Sequence, residues 1–118
     1  NSNTAVGKSA LAANTTGTNN TAVGFSALTS NTTANDNVAV GRCSLKTNTT
    51  GASNTAVGQN SLFNNSTAND NTALGHQTLF TNATGANNTA IGKNALYYNT
   101  ASNNTAVGNL AMAIKTQL

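Results

Sequence analysis

The 118-residue chain has no proline, tryptophan or glutamate, and it has one cysteine, one histidine and one methionine. A single cysteine excludes an intrachain disulfide and a multi-cysteine metal site, so we interpret Cys43 as a small residue at a variable position. No apolar run approaches the roughly 20 residues that span a bilayer, and no signal peptide opens the chain. We therefore predict no direct membrane insertion.

Charged residues are also scarce, at 6% of the chain. Five cations (Lys8, Arg42, Lys46, Lys93 and Lys115) and two acids (Asp36 and Asp70) give a net charge of +3. No two cations are closer in sequence than Arg42 and Lys46. Since binding along a phosphate backbone requires a basic tract, we expect no nucleic-acid partner.

Groups that could perform catalysis or bind a metal are few and dispersed. His76 is the only histidine, and Asp36 and Asp70 lie 34 residues apart. Asn35-Asp36-Asn37 and Asn69-Asp70-Asn71 offer oxygens at a turn, but one carboxylate is poor ligation for calcium. We interpret both as capped turns and His76 as a solvent-facing residue. The sequence predicts no enzyme, no cofactor and no metal site.

Asparagine and threonine dominate what is present, with 23 and 21 residues. The pattern Asn-Thr-Ala-Val-Gly begins at residues 3, 20, 37, 54, 71, 88 and 104, so the spacing is 17 residues until the last copy, which comes one residue early. A strict period of this length is typical of a solenoid, whose units stack because none can bury a core alone. We predict a solenoid of seven repeats over residues 1–112, and the end of the solenoid or the start of a stem over 113–118. Since the chain opens inside the pattern, we interpret it as a piece of a longer protein.

Two aliphatic positions recur in each repeat and are the predicted core. Stacked coils would align them in two columns, each contributing one side chain per layer. The predicted core residues are Val6, Leu11, Val23, Leu28, Val40, Leu45, Val57, Leu62, Leu74, Leu79, Ile91, Leu96, Val107 and Met112.

The segment Thr-Ala-Val alternates in the manner of a short β-strand. In the third repeat Val38 replaces the threonine, which puts Val38 and Val40 on one face and Ala39 on the other. This substitution favours burial of the Thr/Val face. The opposite position, always alanine, then requires a different explanation, and the close approach of another subunit supplies one. The fold class predicted is all-β, a parallel β-solenoid with one 17-residue coil per repeat and several chains side by side.

Glycine and asparagine mark the corners of each coil. The glycine after each strand fits a backbone with positive φ, and Asn-Thr-Thr-Gly, as at Asn14 to Gly17, forms a second corner. Asparagines at equivalent places in successive coils can hydrogen-bond to one another along the axis. The asparagine content is thus explained by turns and ladders without a ligand.

Aromatic residues come directly after the core leucine in three consecutive repeats, at Phe63, Phe80 and Tyr97. Residues at equivalent places would form a stack on one side of the solenoid. We interpret this strip as a possible surface contact for a receptor or carbohydrate, or as a filler between subunits.

The repeated motif, above all Asn37-Val38-Ala39-Val40-Gly41, resembles the Ser-Val-Ala-Ile-Gly-type motif in head domains of trimeric autotransporter adhesins. It also resembles repeats in tail-fibre and spike proteins of phages and large algal viruses. The resemblance covers residue 3 to about residue 112, although the unit here is longer and has an added Asn-Thr-Thr-Gly corner. It implies a left-handed parallel β-roll, three rolls per trimer, with Val6 and Val40 as inward aliphatics and Gly7 and Gly41 as corners.

The function implied is a structural or adhesive fibre or head module outside the cell, on a cell surface or a virion. Such a module would display a receptor-binding surface on a rigid homotrimeric rod, with a host receptor or carbohydrate as partner.

The alternative is an ice-binding solenoid, because solenoids of that class have regular threonine columns. Equivalent positions here form the column Thr4, Thr21, Thr55, Thr72, Thr89 and Thr105, which Val38 interrupts. A double rank of Thr-x-Thr is missing.

Overall fold

The computed structural model describes residues 1–114, which contain seven three-residue strands in one parallel sheet. The strands are β1 (Thr4–Val6), β2 (Thr21–Val23), β3 (Val38–Val40), β4 (Thr55–Val57), β5 (Thr72–Leu74), β6 (Thr89–Ile91) and β7 (Thr105–Val107). Each strand pairs with the next in chain order, and the molecule is a rod of 43 × 20 × 17 Å. The predicted all-β parallel solenoid with 17-residue coils is confirmed.

Residues one repeat apart are neighbours in the sheet, as Thr4 with Thr21 and Ala22 with Ala39. The shortened sixth repeat keeps this register, because Thr89 pairs with Thr105. The one-residue deletion lies in the turn after the leucine. Asn82 Nδ2 donates to a carbonyl three residues ahead, whereas Asn99 Nδ2 donates to one two residues ahead. The deletion therefore leaves the strands aligned.

Each coil turns through several residues with positive φ. In the second coil these are Gly24 at 133°, Ser26 at 56°, Leu28 at 50° and Asp36 at 61°. A Cβ added to Gly24 would lie 2.6 Å from the carbonyl oxygen of Gly41 in the next coil, so this corner accepts only glycine. Asparagine and aspartate tolerate the left-handed region better than most residues. That preference explains the placement of Asp36 at a corner without a bound ion.

The leucine column is unusual because its members adopt φ values near 50°, a conformation that costs roughly 1–2 kcal/mol for an L-residue. Leu28, Leu45, Leu62 and Leu79 have no exposed surface. Burial of a leucine side chain stabilises a protein by about 1.5–3 kcal/mol. The burial therefore offsets the backbone strain, and the leucine half of the predicted core lies inside the rod.

The other inward column is alanine, contrary to the prediction. Ala22, Ala39, Ala56, Ala73 and Ala90 are all 0% exposed and pack against the leucines. The interior of a coil is narrow, and one leucine with one alanine per layer forms most of its apolar part, beside two columns of buried asparagines. The small size of this position reflects packing inside one chain, so it is no evidence of a second subunit.

The predicted burial of the valine column was therefore wrong for the single chain. Its members point outward from the sheet: Val6, Val57, Ile91 and Val107 are exposed, and Val23, Val40 and Leu74 are half-buried. Met112 was also predicted to be core but is 61% exposed, because no later coil covers it within residues 1–114. Leu11, in the first coil, remains buried.

The inward side of each strand is set by a buried asparagine two residues before the alanine. Asn54 is 0% exposed and lies on the same side as Ala56. Its Oδ1 accepts the N–H of Asn71 at 3.0 Å, and its Nδ2 donates to Ala68 O at 2.8 Å. The same column recurs in every coil, at Asn3, Asn20, Asn37, Asn54, Asn71, Asn88 and Asn104. We call it the inner asparagine ladder.

A second column of asparagines closes the turn after the leucine. Asn48 Nδ2 donates both to Asn31 Oδ1 at 3.0 Å and to Gly51 O at 2.9 Å. One bond joins adjacent coils and the other fastens the turn within a coil. The predicted asparagine ladders along the axis are confirmed.

The described part of the chain ends at Ile114, so residues 113–118, predicted to be the end of the solenoid or the start of a stem, lie mostly outside the described residues. Within residues 1–114 there is no helix of the length and apolarity needed to cross a membrane.

We predict that Leu62→Ala lowers the free energy of unfolding by about 2–5 kcal/mol, because it leaves a cavity in a filled layer. The matched control is Leu110→Ala, since Leu110 is 56% exposed, and it should change stability by about 0.5 kcal/mol or less. Urea unfolding at one protein concentration measures both. Equal losses in the two variants would contradict the described core.

We predict that Asn54→Ala costs about 1–3 kcal/mol of stability, since the buried N–H of Asn71 loses its acceptor. Asn109 is exposed, so Asn109→Ala is the control. The midpoint of chemical unfolding is the measurement. An unchanged midpoint for Asn54→Ala would mean that the inner asparagine ladder contributes no net stability.

Candidate interaction surfaces

The outward side of the sheet is the most regular surface of the rod. It consists of two parallel columns, which we together call the strand face: Thr4, Thr21, Val38, Thr55, Thr72, Thr89 and Thr105 in one, and Val6, Val23, Val40, Val57, Leu74, Ile91 and Val107 in the other. Side chains within a column repeat about every 4.8 Å, and the columns stand about 7 Å apart. The strand face is thus a lattice of methyl groups and threonine hydroxyls.

Aliphatic side chains on this face remain open to solvent in the single chain. Val57 and Ile91 are each 38% exposed, although both lie between other coils. Exposed apolar side chains in a continuous row are more typical of an interaction surface than of an isolated monomer. The strand face is therefore the first candidate for contact with another molecule.

The three aromatic residues predicted to stack do so. Phe63 and Phe80 have ring centroids 5.2 Å apart at 19°, and Phe80 and Tyr97 are 5.1 Å apart at 8°. Tyr98 meets Tyr97 edge to face at 4.7 Å. The stack joins three successive coils, and Phe63, Phe80 and Tyr97 are each half-buried.

The aromatic stack leaves few open ring faces. Both faces of Phe80 are covered by its neighbours, and the Nζ of Lys46 lies 5.5 Å from the centroid of Phe63. Because sugars usually pack on an open aromatic face, this geometry favours a stabilising role between coils. A receptor contact at Phe63, Phe80 and Tyr97 stays a prediction and would use the ring edges.

The histidine, cysteine and aspartate side chains, which are far apart in the sequence, are not brought together in the described fold. Among residues 1–114 no three His, Cys, Asp or Glu side chains cluster as a metal site would require. Asp36 accepts a hydrogen bond from Asn19 Nδ2 at 3.1 Å, in the role of a turn residue. Cys43 is buried in a column that has Ser9 and Ser26 at equivalent places. The absence of catalytic activity stays a prediction.

Sequence reasoning missed a further column of exposed threonines at the Asn-Thr-Thr corner. Its members are Thr16, Thr33, Thr50, Thr67, Thr84 and Thr100. In the first three coils the preceding residue is also threonine and has a different role: the hydroxyls of Thr15, Thr32 and Thr49 each donate to a carbonyl of the next coil. The uninterrupted repetition of threonine was visible in the sequence and indicated such a column.

Comparisons with protein-family models, with curated proteins and with solved structures return no match. The resemblance to adhesin heads and viral fibres therefore stays a prediction based on the repeated motif. Any functional assignment depends on the surfaces described above.

Proposed function

We propose that this chain forms a structural or adhesive fibre or head module in which several copies of the chain associate through their strand faces. The observation that carries the proposal is the outward aliphatic column. It provides one apolar side chain in each of seven strands along the length of the rod. Association would remove that column from water, and each methylene so buried contributes about 0.8 kcal/mol.

The rod itself suits a supporting role. Backbone hydrogen bonds join successive coils at the strands and also at the turns, as at Thr21 N to Asn37 O and Leu28 N to Ser44 O. Two asparagine columns and an aromatic stack run in the same direction. A rod of this kind resists bending because every coil is fastened at several points around its circumference.

Three chains per assembly, an extracellular location and a receptor or carbohydrate partner are parts of the same proposal. They derive from the resemblance of the repeated motif to adhesin heads. The exposed threonines and asparagines of the turns offer hydroxyl and amide groups to such a partner.

We expect light scattering of the purified chain at micromolar concentration to give about three times the monomer mass of 11.8 kDa. Val57→Asp should reduce the mass to that of a monomer, because it would bury an unpaired charge at the interface. Circular dichroism should remain that of the native β fold, since Val57 points outward. Thr67→Asp, at an exposed turn position, is the control and should stay oligomeric. A monomeric unsubstituted chain would overturn the proposal.

An ice-binding role is a second candidate, favoured by the outward position of the threonine column on the strand face. Six of its seven members are threonine, and the spacing within it is regular. The leading proposal predicts no thermal hysteresis. Hysteresis and faceted ice crystals from a monomeric sample, both lost in Thr72→Lys, would replace the fibre proposal with this one.

A further inference from the structure

Charged side chains are sorted into two columns that border the strand face. The column directly after the glycine corner is Lys8, Phe25, Arg42, Gln59, His76, Lys93 and Asn109, here called the basic flank. The left-handed corner before each strand forms the acidic flank, with Asn19, Asp36, Ser53, Asp70, Asn87 and Asn103. Of the charged side chains in residues 1–114, only Lys46 lies outside these flanks.

The two acids share their layers with the arginine and the histidine. Asp36 precedes β3 and Arg42 follows it, while Asp70 precedes β5 and His76 follows it. The three residues of a strand advance the chain by about 10 Å, so the acid and the base of each layer lie at opposite ends of one strand. Each acid and the basic residue of its own layer are therefore placed to contact another chain rather than each other.

In the β3 layer, the side chains of Asp36 and Arg42 are each held against a residue of the second coil. The guanidinium of Arg42 lies over the ring of Phe25, with 5.8 Å from its carbon to the ring centroid. One carboxylate oxygen of Asp36 accepts a hydrogen bond from Asn19. Both side chains are exposed.

Symmetry determines which flanks meet when strand faces associate. If the rotation axis runs along the rods, each acidic flank meets the basic flank of its neighbour. If a two-fold axis runs across the rods, acidic meets acidic and basic meets basic. Like charges brought together at an interface are unfavourable, so the charge distribution selects parallel chains.

In a closed cyclic assembly, symmetry then determines the register between neighbouring chains. A closed cyclic assembly has no net shift along its axis, so each layer meets the same layer of the next chain. In register, Asp36 meets Arg42 and Asp70 meets His76. A slip of two coils would bring the acids to Lys8 and Arg42, but it would uncover two layers and generate an open helix.

We propose that the strand face docks against a second copy of this chain in parallel and in register, with Asp36 and Asp70 pairing with Arg42 and His76 of the neighbouring copy. This inference rests on the side-by-side association proposed above. It adds the orientation and register of the chains, which the apolar column leaves undetermined because that column is nearly the same in every layer.

Cross-linking tests the orientation. In a Cys43→Ser background, which restores the serine found at Ser9 and Ser26, we would prepare Asp36→Cys, Arg42→Cys and the double variant. A short bis-maleimide should join chains of the double variant and neither of the single ones. The control for register is Asp36→Cys with His76→Cys, whose cysteines lie two coils apart and should give a much lower yield.

A double-mutant cycle tests the charges. Asp36→Asn and Arg42→Gln should each weaken association about two- to fivefold, and the combined variant should be no weaker than the worse single one. The control cycle pairs Asp36→Asn with Lys93→Gln, which lie in different layers and should act additively. Sedimentation equilibrium at low salt provides the dissociation constants.

The outcomes separate this inference from the proposed function. The parallel register is overturned if Asp36→Cys cross-links by itself, or if the effects of the Asp36 and Arg42 variants on association are additive. Side-by-side association would remain intact in either case. A monomeric unsubstituted chain overturns both. Cross-links confined to the double variant, together with non-additive charges, support the inference.

Discussion

The inner asparagine ladder is the interaction on which the rest of the structure depends. Each amide satisfies backbone groups in the buried interior of the rod, where water cannot replace it, as Asn54 does for Asn71 and Ala68. An asparagine that must lie inside determines, by the alternation of a strand, that the alanine two residues later also lies inside. The threonine and the valine of the same strand must then lie outside. One requirement for hydrogen bonding thus decides which face of the sheet is available for function.

The narrow interior has a second consequence in the turns. The leucine of each coil is buried at the centre in a left-handed backbone conformation, and its burial offsets the strain of that conformation. The glycine corner, the position two residues after it and the corner before each strand supply the other positions with positive φ. Asp36 and Asp70 are therefore suited to their sites by backbone preference, and their charges are left for the surface.

Different kinds of side chain occupy different columns on the outside of the rod. Apolar and hydroxyl groups lie on the strand face, charges border that face, and the aromatic stack joins coils elsewhere on the rod. A surface of this kind gives an associating chain both a hydrophobic contribution and a preferred orientation. We regard the strand face and its two flanks as one interaction surface, with the turn residues free for other partners.

The sequence by itself determined the fold, because a 17-residue period with strand-like alternation leaves stacking in register as the way to form a core. It also determined the leucine column, the asparagine ladders and the aromatic stack, since equivalent residues of a solenoid are neighbours. It did not determine which side of the strand faces inward. Val38 suggested the Thr/Val face, and a three-residue strand has too short an alternation to decide between Ala39 and Val40. Only the tertiary structure decided this, because the width of the coil and the hydrogen-bonding requirement of Asn37 depend on the whole circuit of the chain rather than on any local pattern.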